Sequence, residues 1–145
     1  MVAIHQGGPM SESTRNQLDD LIIQQMDDAV FAHSGRRSFF EYREFGLDLT
    51  TDGQFRAQTM RASDVMEQTG WHYHECDVQF VYVLAGWVEL EFENGRRERV
   101  AAGAGLSIPS GLIHNEIAVS EDFEALEFVS PAAFGTVPVE TPAGV

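Results

Sequence analysis

The chain has 145 residues, and 9 Lys+Arg stand against 23 Asp+Glu, which gives a formal net charge of −14. This length suits a single domain that buries its core without a disulfide or a metal. The negative charge argues against nucleic acid and anionic membrane surfaces as partners. Cys76 is the only cysteine, so no intrachain disulfide forms, and no long apolar segment indicates a secretion signal or a membrane-spanning helix. We therefore expect a soluble, cytoplasmic protein.

Both ends of the chain are predicted to be arms. Residues 1–12 and 131–145 mix glycine and proline with polar residues and show no periodicity, whereas residues 13–130 are expected to form the single domain. The C-terminal arm carries apolar residues such as Phe134 and Val137. Because such residues are rarely left in water, we expect this arm to lie on a neighbouring surface, within the chain or on a second copy.

Between the arms, a short helical pattern gives way to a β pattern. From Ser13 to Val30 apolar residues recur every three or four positions, which predicts one amphipathic helix. After Gly35 short runs alternate with turns, and Asn94-Gly95 is the clearest hairpin signal. The predicted strands are Ser38–Phe45, Phe55–Ala62, Trp71–His74, Val78–Leu84, Trp87–Phe92, Glu98–Ala101, His114–Val119 and Phe123–Val129. Because no helical stretch separates them, an antiparallel all-β sandwich or barrel is indicated.

Three histidines and one glutamine are the candidate metal ligands and catalytic residues. His72 and His74 are two residues apart, so on a strand their side chains share one face and can bind one ion. Gln79 begins the next predicted strand and offers a carbonyl oxygen. The turn at residues 108–111 reverses the chain and brings His114 to the head of another strand. These donors predict a site for a divalent metal ion.

The same residues resemble the two motifs of the cupin superfamily. The first motif is Gly, five residues, His-x-His, three or four residues, Glu, six residues and Gly. The second is Gly, five residues, Pro-x-Gly, two residues, His, three residues and Asn. The matching positions are His72, His74, Gly86, Gly103, Pro109, Gly111 and His114. Three positions depart: Met66 replaces the first Gly, Gln79 replaces the Glu, and Ala118 replaces the Asn.

The resemblance implies a cupin double-stranded β-helix, which is a jelly-roll barrel, with a short N-terminal helix added here. The segments SFFEYREFGL, GWHYHECDVQFVYVLAGWVELEFE and ALEFVSPAAF are similar to small single-domain, metal-dependent polyketide cyclases of aromatic antibiotic biosynthesis. That similarity implies a divalent ion bound by histidines, with zinc (Zn) as first choice, no redox role, and Fe, Ni or Mn as alternatives.

Further residues near these motifs are weaker candidates for the site. His33 is a possible additional imidazole ligand that an early strand would bring over the barrel mouth. Cys76 is expected to be a buried or half-buried free thiol. Glu75 and Asp77 are close enough in sequence to orient an imidazole N–H. Aromatic side chains around the motif predict an apolar cavity for a hydrophobic aromatic or polyketide substrate.

The glutamine in place of glutamate bears on the chemistry. A ligand shell of three histidines and Gln79 is neutral, so a divalent ion keeps its full charge toward substrate and favours a developing enolate. This predicts aldol-type closure of a poly-β-ketone. Two alternatives stay open: a cupin dioxygenase acting on a diketone or flavonoid-like ring, and a non-catalytic small-molecule-binding cupin. The apolar arm and the long strand FFEYREF also predict a homodimer.

Overall fold

The computed structural model describes residues 17–145, which form ten β-strands and one four-residue helix, α1 (Leu47–Thr50). The strands are β1 (Phe40–Glu44), β2 (Arg56–Ala62), β3 (His72–Glu75), β4 (Val78–Ala85), β5 (Trp87–Phe92), β6 (Arg97–Ala101), β7 (Gly105–Ser107), β8 (His114–Val119), β9 (Glu124–Ser130) and β10 (Gly135–Pro138). Every pair of neighbouring strands is antiparallel. The predicted all-β class is confirmed.

The strands are divided between two five-stranded sheets. The first sheet has the order β1-β2-β9-β4-β7, and the second sheet has the order β10-β3-β8-β5-β6. Strands that follow one another in the sequence, such as β2 and β3 or β8 and β9, lie in different sheets, so the chain crosses repeatedly between them. This two-sheet jelly roll is the architecture that the cupin resemblance implies.

Apolar side chains from both sheets pack together to form the core. Val88 and Leu90 of β5 are buried, as are Phe40 of β1 and Val83 of β4. Phe123 packs on Phe40, with the ring centroids 5.8 Å apart. Because side chains alternate along a strand, every second residue of β5 enters this core. Part of the aromatic cluster seen in the sequence is therefore core rather than cavity wall.

The eight strands predicted from the sequence are all present, and their ends are shifted by at most two residues. The hairpin at Asn94-Gly95 is also present, since Phe92 N–H donates to the Arg96 carbonyl over 2.8 Å and Gly95 has a φ of 82°. The prediction missed β7, β10 and α1. The three residues of β7 lie in a glycine-rich segment that reads as a turn, and β10 contains Pro138, which an edge strand tolerates.

The predicted amphipathic helix is wrong over the part that the structure describes. That part contains only two 3-10 turns, Gln17–Asp20 and Met26–Asp28. The carbonyls of Gln24 and Gln25 accept hydrogen bonds from the Arg43 guanidinium, at 3.1 and 3.4 Å. A short helix needs a packed apolar face, yet apolar side chains of this segment are exposed. The N-terminal arm and the start of the predicted helix lie outside the described residues, and no described helix could span a membrane.

The C-terminal arm, which was expected to lie on a neighbouring surface, lies on its own chain. Its strand β10 pairs with β3, with Thr136 opposite His74 and Pro138 opposite His72. Phe134 also contacts His74, with ring centroids 5.2 Å apart. The arm therefore adds an edge strand to the second sheet, directly beside the two histidines of β3.

Candidate metal centre

The structure brings the three predicted histidines together. His72 on β3 is paired in register with His114 on β8, and His74 lies two residues further along β3. The ring centroids are 4.5 Å apart for His72 and His114 and 4.9 Å apart for His72 and His74. One ligand nitrogen from each side chain lies within 4.8 Å of the others, and all three residues are buried. This geometry suits a single ion bound by three imidazoles.

Each imidazole is oriented by a hydrogen bond at Nδ1. His72 Nδ1 lies 2.7 Å from the Gly70 carbonyl, and His114 Nδ1 lies 2.9 Å from the Leu112 carbonyl. A carbonyl only accepts, so these two rings carry their proton on Nδ1 and leave a lone pair on Nε2. His74 Nδ1 lies 2.8 Å from the Thr136 hydroxyl. Such partners hold metal-binding histidines in the required tautomer.

The protonation state of the cluster also suits a metal ion. Burial, and to a smaller extent the charges of the neighbouring His72 and His114, lower the pKa of His74 to about 3. Burial likewise lowers the pKa of His72, with a smaller contribution from His114. His72 and His74 are therefore neutral near pH 7, which is the form that binds metal. His114 Nε2 is buried without a hydrogen-bond partner, as expected of an atom that awaits a ligand.

Gln79 lies on β4 of the first sheet and lines the same cavity, of about 270 Å³, as His72 and His74. Its Nε2 donates to Glu127 Oε2 over 3.4 Å, and Gln58 Nε2 donates to Glu127 Oε1 over 3.0 Å. Because an ionised carboxylate only accepts, both amides turn their NH₂ groups toward Glu127. The carbonyl oxygens of Gln79 and Gln58 are consequently buried without a partner. The Gln79 carbonyl oxygen thus has a lone pair available for a metal ion.

Glu127 is a residue of this cavity that the sequence analysis missed. Burial raises the pKa of its carboxyl, against the hydrogen bond from Gln58. A signal was present in the sequence, since Glu127 occupies an inward position of the predicted strand between Ala125 and Val129, which are both buried. A carboxylate among the inward-facing apolar residues of a strand indicates a functional or paired group.

The remaining predicted residues lie outside the histidine cluster. The side chain of His33 is 56% exposed, and its Nε2 lies 3.8 Å from Glu41 Oε1. Cys76 is a buried free cysteine, and burial raises the pKa of its thiol. Glu75 and Asp77 are exposed, and the Nδ1 atoms of the cluster contact two backbone carbonyls and a hydroxyl instead.

The cavity is more polar than the aromatic content of the sequence predicted. Phe40, Tyr42 and Phe134 line it, but so do three arginines, two carboxylates and two amides. Alternation along β4 explains the difference. Gln79 points inward, and Phe80 and Tyr82 follow it by one and three residues, so both point to the opposite face of the sheet, where each is 39% exposed.

The fold and the site together define the class of this protein. Residues 63–129 match the family model described as the cupin domain. The two antiparallel sheets and the HxH and PxG motifs agree with that match. Residues 63–129 are therefore a cupin domain, and the resemblance to the cupin superfamily that the motifs indicated is confirmed.

Comparison with solved structures adds particular relatives. The polyketide cyclase RemF from Streptomyces resistomycificus is 21% identical with a TM-score of 0.66, covering 86% of this chain and 89% of that one. KdgF from Halomonas sp. is 20% identical with a TM-score of 0.59, covering 76% and 93%. A mutant salicylate 1,2-dioxygenase from Pseudoaminobacter salicylatoxidans, in complex with gentisate, is 14% identical with a TM-score of 0.54, covering 70% and 29%. At these identities the likeness establishes the fold. A sequence comparison with curated proteins finds no match.

Proposed function

We propose that this cupin is a metal-dependent polyketide cyclase that closes a ring of a poly-β-ketone by an aldol-type reaction in aromatic polyketide biosynthesis. The observation that carries the proposal is the neutral donor set. His72, His74 and the carbonyl oxygen of Gln79, which has no hydrogen-bond partner, line one cavity. A ligand nitrogen of His114 lies within 4.8 Å of those of His72 and His74, and none of these four donors bears a negative charge. The likeness in fold to the cyclase RemF supports the same choice.

The residues present fit a divalent ion, with zinc as our first choice. His72, His74 and His114 would hold it, and Gln79 would complete the set through its carbonyl oxygen. A divalent ion in this position supplies Lewis acidity, which polarises carbonyl oxygens and stabilises the negative charge that develops when the methylene between them loses its proton. Because the three imidazoles and the amide are neutral, the ion would keep its full positive charge toward the substrate.

Two carboxylates of the cavity are candidates to accept the proton of the methylene. Glu127 is buried with a raised pKa, and Glu116 also lines the cavity. A base whose pKa lies closer to the working pH transfers protons more effectively, so the environment of Glu127 favours it. Phe40 and Phe134 add apolar surface to the lining of the cavity, which would exclude water and restrict how a flexible chain folds.

The test is a product analysis. Zinc-loaded protein is incubated with a freshly generated polyketide chain, and the product masses are compared with those formed by His114→Ala. Loss of water without incorporation of oxygen, dependent on His114, is the expected result. Incorporation of oxygen, or identical products from the variant, overturns the proposal.

A dioxygenase that acts on a diketone or flavonoid-like substrate is the second candidate. Three histidines with open positions also suit Fe(II), and a solved dioxygenase shares the fold. Iron in the purified protein together with oxygen uptake in the presence of a diketone would favour this function. A non-catalytic cupin that binds a small molecule is the third candidate, and tight ligand binding without turnover would favour it.

We also propose a homodimer in the cytoplasm. The C-terminal arm no longer supports the dimer, because it pairs within the chain. Support comes instead from β4, where Val78, Phe80, Tyr82 and Leu84 are 41%, 39%, 39% and 45% exposed along one strand. A contiguous apolar row is unusual on a monomer. The compartment is proposed because Cys76 is a free thiol.

A further inference from the structure

Two arginines at the histidine cavity lack the carboxylate partner that most other arginines have. Arginines of the described chain that pair with a glutamate are Arg56, Arg61, Arg96, Arg97 and Arg99. Arg43 donates to backbone carbonyls. Arg36 and Arg37 form no ion pair with any carboxylate of residues 17–145, although the chain as a whole carries a net charge of −14. Unpaired guanidinium groups in so acidic a protein call for an explanation.

The loop that carries these arginines is fixed against β1. A Cβ on Gly35 would lie 2.1 Å from Cε2 of Tyr42, so only glycine allows the loop to pass across this ring. The backbone carbonyl of Arg37 accepts a hydrogen bond from Phe40 N–H over 3.2 Å. Arg36 also donates to the Thr136 hydroxyl on β10. The loop is therefore held on two sides, and both arginines face the site from a defined position.

Both arginines line the histidine cavity and a second, adjoining depression. The second depression has a volume of about 530 Å³ and is also lined by Trp71, Phe134 and His72. Arg36, Arg37, His72 and Phe134 border both spaces, so a ligand in either space lies beside the arginines and His72 together.

The two guanidinium groups also repel each other. Burial lowers the pKa of Arg36, and the charge of Arg37 lowers it further. Glu116 and Glu127 attract Arg36 from within the cavity without forming an ion pair. A bound oxyanion would relieve the repulsion, and guanidinium groups bind carboxylates through paired hydrogen bonds.

We infer that the substrate carries a carboxylate, which binds to Arg36 and Arg37 while its carbonyl groups reach the histidines. The inference rests on the proposed function, because it specifies the substrate of that site as a polyketide acid rather than a neutral ester. Trp71 and Phe134, beside the arginines, provide apolar surface for the carbon chain next to the carboxylate.

The first experiment isolates the arginines from any metal. The full chain is stripped with a chelator, and binding of benzoate, benzamide and phenyl phosphate is measured by titration at low ionic strength. Benzoate should bind about tenfold tighter than benzamide, as expected of hydrogen bonds to a charged group. Arg37→Gln should remove most of this preference. Equal binding of benzoate and benzamide, or phenyl phosphate binding more than about tenfold tighter than benzoate, overturns the inference.

Two control variants test whether the effect belongs to the arginines themselves. Arg99→Gln removes a guanidinium that pairs with Glu89 and should leave the preference for benzoate unchanged. Thr136→Val removes the hydroxyl shared by Arg36 and His74 while keeping both arginines. If Thr136→Val abolishes the preference as fully as Arg37→Gln does, the preference depends on the positioning of His74 and the inference is wrong.

The second experiment separates the inference from the proposed function. Zinc-loaded protein is titrated with 2,4-dioxopentanoate and with its methyl ester, for wild type and Arg37→Gln. The wild type should prefer the free acid, and the variant should lose most of that preference while its binding of the ester is unchanged. Equal preference in the two proteins overturns the inference and leaves the metal function intact. If zinc increases the affinity for neither the acid nor the ester while the preference for benzoate is present, the proposed metal function is wrong and the anion site is supported.

Discussion

The two walls of the histidine cavity are built in different ways. On the second sheet, Nδ1 of His72 and of His114 contacts the carbonyl two residues earlier in the chain, that of Gly70 and Leu112. These orientations are local, and each is made within one short segment. On the first sheet, Gln58 and Gln79 are oriented through Glu127, which lies 69 and 48 residues away from them in the sequence.

The difference separates the residues that would hold a metal ion from those that would set the charge around it. In the histidine wall, His72 and His114 depend on strand geometry and nearby turns, so these two donors are fixed wherever β3 and β8 form, whereas His74 also needs Thr136 of β10. The amide wall depends on the register of β2, β4 and β9, with Glu127 as the shared acceptor. Changes to the histidine wall should therefore abolish metal binding, whereas changes to the amide wall should alter reactivity.

The largest effect is expected from removal of a histidine. His72→Ala and His114→Ala should each lose bound metal, and activity should fall by about a thousandfold or more because the main charge stabilisation is lost. The barrel should stay folded, since its apolar core does not include these residues. Metal content and circular dichroism are the measurements. An unfolded variant would show instead that the histidines serve stability.

A smaller effect is expected from Gln79→Glu on the opposite wall. The added carboxylate should bind the ion more tightly but lower the net charge of the metal shell, so turnover should fall by about tenfold or more with metal retained. Zinc stoichiometry and single-turnover rate are measured together. Unchanged turnover with full metal content contradicts both the ligand assignment and the Lewis-acid mechanism.

Gln58→Glu is the matched control for that variant. It places the same charge beside the same partner, because Gln58 donates to the other oxygen of Glu127. If repulsion from Glu127 alone lowers the rate, this variant should reproduce the loss. We expect it to retain more activity than Gln79→Glu, since Gln58 is not assigned as a ligand.

The outer surface of the first sheet should control assembly rather than chemistry. Light scattering of the wild type should give twice the chain mass of 16.1 kDa, and Tyr82→Glu should shift the protein toward the monomer by placing charge in an apolar interface. Glu124→Gln on neighbouring β9 is a control that removes charge. A wild-type monomer at micromolar concentration refutes the dimer.

The smallest effect concerns acid stability of the metal-free protein. The pKa of His74 falls from 6.5 to about 3 on folding, because of burial and then the neighbouring histidines. Between these values the unfolded chain binds a proton that the folded chain does not, so stability falls as the pH is lowered through this range. His74→Gln should show a shallower decline in urea midpoint than wild type. Parallel curves would contradict the assigned pKa.

Much of the fold was accessible from the sequence because its signals are local. The spacing of His72 and His74, the turn at residues 108–111, and the alternation within strands each act over a few residues. They correctly indicated an all-β fold, a cupin domain and the three histidines that come together. The amphipathic helix was predicted from a local signal too, but a periodic apolar pattern forms a stable helix only where a surface receives it.

What the sequence did not reveal depends on contacts between distant segments. Glu127 serves Gln58 and Gln79 only because β9 lies between β2 and β4. Thr136 reaches His74 only because β10 pairs with β3. No periodicity specifies which strands become neighbours, so these contacts follow from tertiary register, and the polar character of the cavity could not be deduced from the aromatic content nearby.

The pairing of β10 with β3 also sets an order of events during translation. Thr136, which hydrogen-bonds His74, follows it by 62 residues in the sequence. The ribosome must therefore add those residues before β10 can pair with β3 and before His74 acquires its hydrogen-bond partner. During synthesis, the chain therefore contains both histidines of β3 well before the strand that orients the second of them has been made.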